Sequence, residues 1–279
     1  MKDDAVLVPF AKAHLDGALR LSQEMSWPYR LEDWDVALQL GHGFVLLRAG
    51  VVIGTAVWWP YGDAHASAGM IIVAKGAQGR GYGARLMDAL LAAAHPRAVT
   101  LNSTAEGLAL YARRGFASIG VIQQHQGIPN KHHEAPSTRL VRAMAASDFE
   151  AIARLDQEAT GWARQPMLRR LIERGDGHVL LRDGVPRGYA ISRLFGRGYV
   201  IGPVVAESPA AARALIEAAL ARLGRVFVRV DTAATSQIGE WLEAIGLPQV
   251  SDATTMVLGP QTQSAAPARV FALANQSFN

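Results

Sequence analysis

The sequence predicts an α+β protein made of two tandem copies of one domain. Three observations lead there: a ten-residue segment recurs, its neighbours recur in the same order, and helical and strand-like runs alternate around both occurrences. Gly41-His42-Gly43-Phe44-Val45-Leu46-Leu47-Arg48-Ala49-Gly50 returns as Gly175-Asp176-Gly177-His178-Val179-Leu180-Leu181-Arg182-Asp183-Gly184, identical at seven of ten positions. Upstream, Arg20-Leu21-Ser22-Gln23-Glu24 is echoed by Arg154-Leu155-Asp156-Gln157-Glu158 at the same spacing. Downstream, Gly69-Met70-Ile71-Ile72-Val73 is echoed by Gly202-Pro203-Val204-Val205-Ala206, and the run ending Arg114-Gly115-Phe116 by the run ending Ile245-Gly246-Leu247. The division read from this is a first domain over 1–130, a polar, proline-bearing linker over 131–138, and a second domain with a tail over 139–279. Within the tail, residues 269–274 are apolar enough to dock.

The elements of the first copy follow in order. Residues 15–25 space their apolar side chains as a helix does. The β-rich runs 44–48 and 51–58 flank Ala49-Gly50, a hairpin signal. A third strand-like run covers 66–73. Residues 81–94 are rich in alanine and leucine, begin with glycines and stop before Pro96, so they predict a helix. Residues 98–101 read as a strand, 106–114 as a helix closed by Gly115, and 117–124 as a last strand. Hairpins first and a strand–helix–strand unit later make the copy α+β.

Of the 279 residues, 50% are hydrophobic and 19% charged, which excludes disorder as the main state. With no cysteine, there are no disulfides, thiolate metal sites or cysteine nucleophile, and the chain fits a reducing compartment. The opening MKDDAVLVPF carries two acids and no long apolar run, so no secretory signal is expected. No stretch approaches the roughly 18–20 apolar residues of a membrane span, and the expected location is cytoplasmic. The net charge of +4 is mild and unclustered, which argues against a nucleic-acid footprint and for a small anionic ligand. His125, His132 and His133 lie in or near the polar linker without helical pairing, so no metal site is expected. The sequence carries no reading of oligomeric state.

Gln78-Gly79-Arg80-Gly81-Tyr82-Gly83 follows a strand and opens a helix. Glycines there let the backbone turn and approach a ligand. The first helical turn presents unpaired N–H groups and a positive dipole end, together a phosphate site. A dinucleotide fold would place different glycine spacing after the first strand, and a P-loop would need Gly-Lys-Ser/Thr, which is absent.

This loop is Q-x-x-G-x-G, and Leu110-Tyr111-Ala112-Arg113-Arg114-Gly115-Phe116 is L-Y-x-x-x-G-F. With these two motifs the first copy resembles the GNAT N-acetyltransferases, and the whole chain resembles their tandem subgroup with a divergent second domain. The resemblance implies a mixed, mostly antiparallel sheet flanked by helices in each copy. It implies acetyl-CoA as co-substrate and a small-molecule primary amine as acceptor. Backbone groups of Ile71, Ile72 and Val73 would hold the pantetheine and acetyl carbonyl. Gln78, Gly79, Arg80, Gly81, Tyr82 and Gly83 would take the pyrophosphate, and Asn102 would contact the pantetheine arm. Tyr111 matches the tyrosine that serves the departing thiolate as an acid. The amine must lose a proton to attack. His65 is the candidate base, with a water relay as the other route. Glu24, Trp27 and Tyr29 are the candidate acceptor-binding residues.

The repeat supplies its own control. Opposite the glycine loop the second copy has Ser208-Pro209-Ala210-Ala211-Ala212-Arg213, and opposite Tyr111 it has Leu242. Loop and tyrosine are lost together, so the second copy is expected to keep the fold without the chemistry. The competing reading is a non-catalytic acetyl-CoA-binding sensor or regulatory module. A protein-lysine acetylase would need an acidic acceptor groove, and the acceptor loops carry no acidic cluster.

Overall fold

The computed structural model describes residues 5–133, 140–261 and 266–279. The first four residues of the opening segment and residues 134–138 of the expected linker lie outside the described residues. The first copy runs β1 (Val6–Pro9), α1 (Leu15–Glu24), α2 (Leu31–Leu40), β2 (His42–Arg48), β3 (Val51–Tyr61), β4 (His65–Val73), α3 (Tyr82–Ala94), β5 (Ala98–Ser103), α4 (Leu108–Ala112) and β6 (Ala117–Gly127). The second runs β7 (Val141–Ala143), α5 (Phe149–Thr160), α6 (Gln165–Ile172), β8 (Gly175–Arg182), β9 (Val185–Phe195), β10 (Gly198–Ala206), α7 (Pro209–Leu223), β11 (Val228–Ala233), α8 (Gly239–Ala244) and β12 (Gln249–Leu258), followed by β13 (Arg269–Ala272).

Two elements of the first copy escape sequence reading. β1 has four residues, too few for alternation to register, and ends in proline. α2 carries Asp33 on its buried face beside Trp34, Val36 and Ala37, which blurs its apolar stripe. The repeated hairpin is built as the sequence requires. Ala49 and Gly50 have φ of 49° and 78°, and their counterparts Asp183 and Gly184 have 53° and 75°. Positive φ at both central residues is the type I′ turn that matches strand twist.

The described strands form one 13-stranded sheet in the order β1-β2-β3-β4-β5-β12-β6-β11-β10-β9-β8-β7, with β13 added against β10. The copies exchange their last strands. β12 pairs with β5 of the first copy, from Thr254↔Ser103 to Leu258↔Val99. β6 pairs with β11 of the second copy, from Val228↔Gly127 to Ala233↔Ile122. β6 and β12 lie antiparallel between them. The division near residue 130 is therefore one of sequence repeat, whereas in space each half-sheet is completed by the other copy.

The core follows the same rule. One apolar cluster lies under α3 and another under α7, each within its copy. A third is shared: Leu21, Trp34 and Trp59 join Ile152, Leu168 and Tyr189 around Phe278. Inside this shared core is a buried ion pair. Arg164 meets Asp156 at 2.5 Å, with side chains 0% and 1% exposed. The second carboxylate oxygen takes Arg164 Nε at 3.0 Å. Tyr189 also donates to Asp156. Arg164 Nη1 donates to the carbonyl of Asn279, and Tyr61 to that of Phe278.

Removing one member strands the other charge in the interior, at a cost of about 3–5 kcal/mol. Asp156→Ala is expected to lower unfolding stability by that order, measured by denaturant titration of the full chain. A change under about 1 kcal/mol would mean the pair is not held in the interior as described.

Candidate functional site

The site begins where two parallel strands part. β4 and β5 pair from His65↔Ala98 to Ala68↔Leu101 and no further. β5 continues against β12, with Asn102 opposite Thr255. β4 bulges: its register with β3 shifts between Thr55 and Val57, and Met70 takes φ of 52°. Beyond the divergence a cleft of about 670 Å³ opens, lined by Gly69 to Val73 on one side and Leu101 and Asn102 on the other.

The glycine loop closes one end of the cleft. Gly79 and Gly81 have φ of 73° and 79°, and a Cβ at either would meet nothing within 4 Å. The loop backbone is thus open to a ligand's approach. Gly81 caps α3, so the first-turn N–H groups of that helix face the cleft, where Gly81, Tyr82 and Gly83 form its wall. Gln78 turns inward instead, donating Nε2 to the Val73 carbonyl at 3.1 Å and fixing the loop to the strand end. Arg80 is exposed beside the loop and lies outside the cleft wall.

Tyr111, on α4, also lines the cleft. Arg114 holds that helix in place by pairing with Asp88 of α3 at 2.7 Å and donating Nη2 to the Ala84 carbonyl at 3.1 Å. Gly107 lies so close under the Tyr111 ring that a Cβ there would fall 2.8 Å from it. Burial pushes the Tyr111 phenol up to about 12, opposed by the Arg114 charge. The hydroxyl is therefore protonated, a donor, throughout the neutral range.

The other expected residues divide. Trp27 lines the cleft, and with Tyr29 it also lines an adjoining cavity of about 390 Å³. Cleft and cavity share Gly69, Met70, Asn102 and Thr104. Asn102 lies in the wall, but its side chain is engaged within the protein. Its Nδ2 donates to the Gln276 carbonyl at 2.8 Å and to Asn279 Oδ1 at 2.7 Å, and its Oδ1 accepts from Thr255. Glu24 is not brought to either space: it accepts the Lys75 N–H at 2.7 Å, tying the end of α1 to the segment after β4. His65 is not brought there either. It begins β4, at the paired end of the strand, beside Trp162 at 6.0 Å, and lines a different cavity with Thr160 and Val257. A strand advances about 3.3 Å per residue, which puts His65 roughly 16 Å along β4 from Met70.

Sequence reasoning missed most of the adjoining cavity, because its walls come from the second copy and the tail. Phe195, Arg197, Arg229, Asp252, Gln276 and Ser277 all line it. Ser277 sits within 3.1 Å of the Cβ position of Gly69, so only glycine fits there. The Gly69/Gly202 match in the repeat is the one available signal: both glycines sit in bulged strands against the tail, Gly69 beside Ser277 and Gly202 beside the Leu273 carbonyl.

The equivalent notch of the second copy is filled. β10 pairs with β11 only at Tyr199↔Val228 and Val200↔Arg229, then bulges as β4 does. There β13 enters: Val204↔Ala272, Val205↔Val270 and Ala206↔Arg269 pair antiparallel. Leu273 N–H donates to the Asp231 carbonyl at 2.8 Å, and Thr232 Oγ1 to that of Phe271 at 2.6 Å, sealing the other side. At the helix that follows, Ser208 accepts the Ala211 N–H and Pro209 has no N–H to offer. The apolar stretch of the tail does dock, and it docks where the first copy has its cleft.

The acetyltransferase (GNAT) domain family matches the chain twice, over residues 39–118 and 152–272. Among relatives, an uncharacterized N-acetyltransferase, YitH, of Bacillus subtilis is 28% identical over 240 residues, covering 82% of this chain and 83% of its own. A holothin acyltransferase of Pseudoalteromonas is 28% identical over 279 residues, covering 89% and 94%. A putative acetyltransferase of Pyrococcus horikoshii shares the fold with a TM-score of 0.82 at 17% identity, over 100% of this chain and 97% of that one. A tandem GNAT protein from the clavulanic acid biosynthesis pathway aligns with a TM-score of 0.65 at 16% identity, over 92% and 100%. With one match in each copy and a tandem neighbour aligned along its whole length, the chain belongs to the GNAT acetyltransferases that carry two such domains in one polypeptide.

Proposed function

We propose that the protein transfers an acetyl group from acetyl-CoA to a primary amine of a small molecule, at the first copy alone. The observation that carries this is the co-location of the glycine loop, the unpaired edge of β4 and Tyr111 around one cleft, while the corresponding edge in the second copy is occupied by β13. The residues suit the ligand. Loop N–H groups and the α3 N-terminus take a pyrophosphate. The strand edge from Gly69 to Val73 offers backbone donors and acceptors for a pantetheine arm and for the oxyanion that forms on attack. The cavity of about 390 Å³ beyond Met70 has the size of a small-molecule site rather than a peptide groove. The relative named a holothin acyltransferase acts, by its name, on holothin, in keeping with that reading.

In this scheme the amine nitrogen attacks the thioester carbonyl beside Met70, and the carbon–sulfur bond breaks. The amine's proton leaves through a water relay that ends on Tyr111, while the Tyr111 hydroxyl passes its own proton to the departing sulfur. Its raised pKa makes it a hydrogen-bond donor over the whole working range, so its own ionisation does not enter the pH profile. Neither His65 nor Glu24 takes part, since one lies outside the cavity and the other is bonded to Lys75. The carboxylate lining the acceptor cavity is Asp252, delivered by the exchanged strand β12.

Two measurements test this. Acetyl-CoA should raise the melting temperature of the full chain with one site per chain by calorimetry. Gly81→Pro, which cannot adopt the required positive φ, should remove that shift. Two equal sites, or normal binding by the variant, would contradict the assignment. Tyr111→Phe should lower kcat by about 10²-fold with little change in acetyl-CoA affinity, because the hydroxyl acts as the sulfur departs. The ratio of wild-type to variant rates should stay flat up to about pH 10, since a phenol near 12 keeps its proton there. Unchanged turnover would remove Tyr111 from the mechanism, whereas acetyl-CoA binding with no consumption against any amine would point to the binding-module reading.

A further inference from the structure

A second cavity, of about 360 Å³, joins the acceptor space at Tyr29, Met70, Phe195 and Ser277 and runs between the two copies. Its wall is largely apolar, with Val36, Ala37, Leu171 and Phe278, yet it includes Arg193. Arg193 is only 6% exposed. Its Nη2 donates to the Ala274 carbonyl at 3.1 Å, and its Nη1 has no partner among the described residues. The repeat shows how unusual this is. The counterpart of Arg193 in the first copy is Trp59, a core side chain whose N–H is satisfied by the Ala37 carbonyl. A cation has replaced an apolar residue at a core position, which is costly unless something compensates it.

The Phe195 ring lies 5.2 Å from the Arg193 guanidinium, a cation–π contact, but no neighbouring charge neutralises it. Arg30 lies along Asp33, whose oxygens also accept the Gly196 N–H, and Arg229 is paired with Asp231. Each of these acids is matched by its own arginine, which leaves Arg193 as the excess charge. Burial pulls its guanidinium down to about 10, so it is still a cation at neutral pH. Glu32 and Arg174 line the cavity as well, but both are exposed.

We propose that Arg193 binds an anionic group of the acceptor, and that the acceptor is a primary amine bearing a carboxylate on an apolar body, an amino-acid-like molecule. This rests on the acetyl-transfer reading and specifies its substrate. One unmatched positive charge suits a monoanion, and a planar guanidinium suits a carboxylate. A doubly charged phosphate would face Asp33 with a single cation to offset it. The apolar wall holds the body, and Met70, common to this cavity and the cleft, marks where the amine meets the acetyl carbon.

The test uses apolar L-amino acids, each paired with its carboxamide, titrated calorimetrically into the full chain with CoA present. Free acids should bind about 10- to 100-fold more tightly than the amides, as a charge-assisted hydrogen bond requires. Arg193→Met should erase that difference while leaving the unliganded protein at least as stable, because it replaces an uncompensated buried charge with an apolar side chain of similar length. Arg193→Lys should keep part of the preference. Equal binding of acids and amides, no binding by any acid, or a preference that survives Arg193→Met would overturn the proposal. Thioester consumption separates the two readings. Acids that bind through Arg193 without consuming acetyl-CoA would sink the acetyl-transfer reading, whereas turnover of amines regardless of a carboxylate would sink this one.

Discussion

Everything about the site depends on the exchange of β6 and β12. A strand edge left open carries a row of unpaired N–H and C=O groups, and β5 and β11 would each present one. Each edge is closed by the last strand of the other copy. The exchange makes a continuous sheet, brings α1, α2, α5 and α6 onto one shared core, and places Asp252 and Thr255 of the second copy beside a cleft built by the first. Neither copy contains the complete acceptor space.

The same geometry has been resolved in two ways. In both copies a bulge follows the last parallel pair and turns the fourth strand away from the fifth. Backbone groups at such a divergence need partners. In the second copy β13 supplies them. In the first copy the edge faces a cleft also lined by the glycine loop and Tyr111. Met70 with positive φ stands where the second copy has Pro203, a residue whose ring forbids that conformation. The two bulges are thus alike in position and different in what they can present.

The segment that fills the second notch goes on to shape the first. After β13 the chain crosses the shared core, where Tyr61 and Arg164 hold the carbonyls of Phe278 and Asn279. Ser277 lies against Gly69, and the Gln276 carbonyl takes the Asn102 side chain. Closing one notch and walling the other are done by one continuous segment, residues 269–279. The buried Asp156–Arg164 pair anchors this path, at the position where the first copy carries Ser22, bonded to Trp34.

Local chemistry was legible in the residues themselves. The hairpin turns, the glycine loop capping α3, the Gly115 stop after α4 and the loss of loop and tyrosine in the second copy all depend on neighbours a few positions away. The repeat made the order of elements readable twice over. The strand exchange, the docking of β13 into the second notch and the convergence of Arg193, Arg229 and Ser277 near Met70 were not readable, because they are set by contacts between distant segments. His65 and Glu24 show the same limit from the other side: each has a suitable functional group, but which end of β4 meets the cleft, and whether a carboxylate is taken by a backbone N–H, is decided by where the strands part. Spacing along the chain specifies turns, caps and helix faces, since these are short-range. It carries no record of which of two equivalent strands completes a sheet, because both satisfy the same hydrogen-bonding edge and only the packing of the whole chain chooses between them.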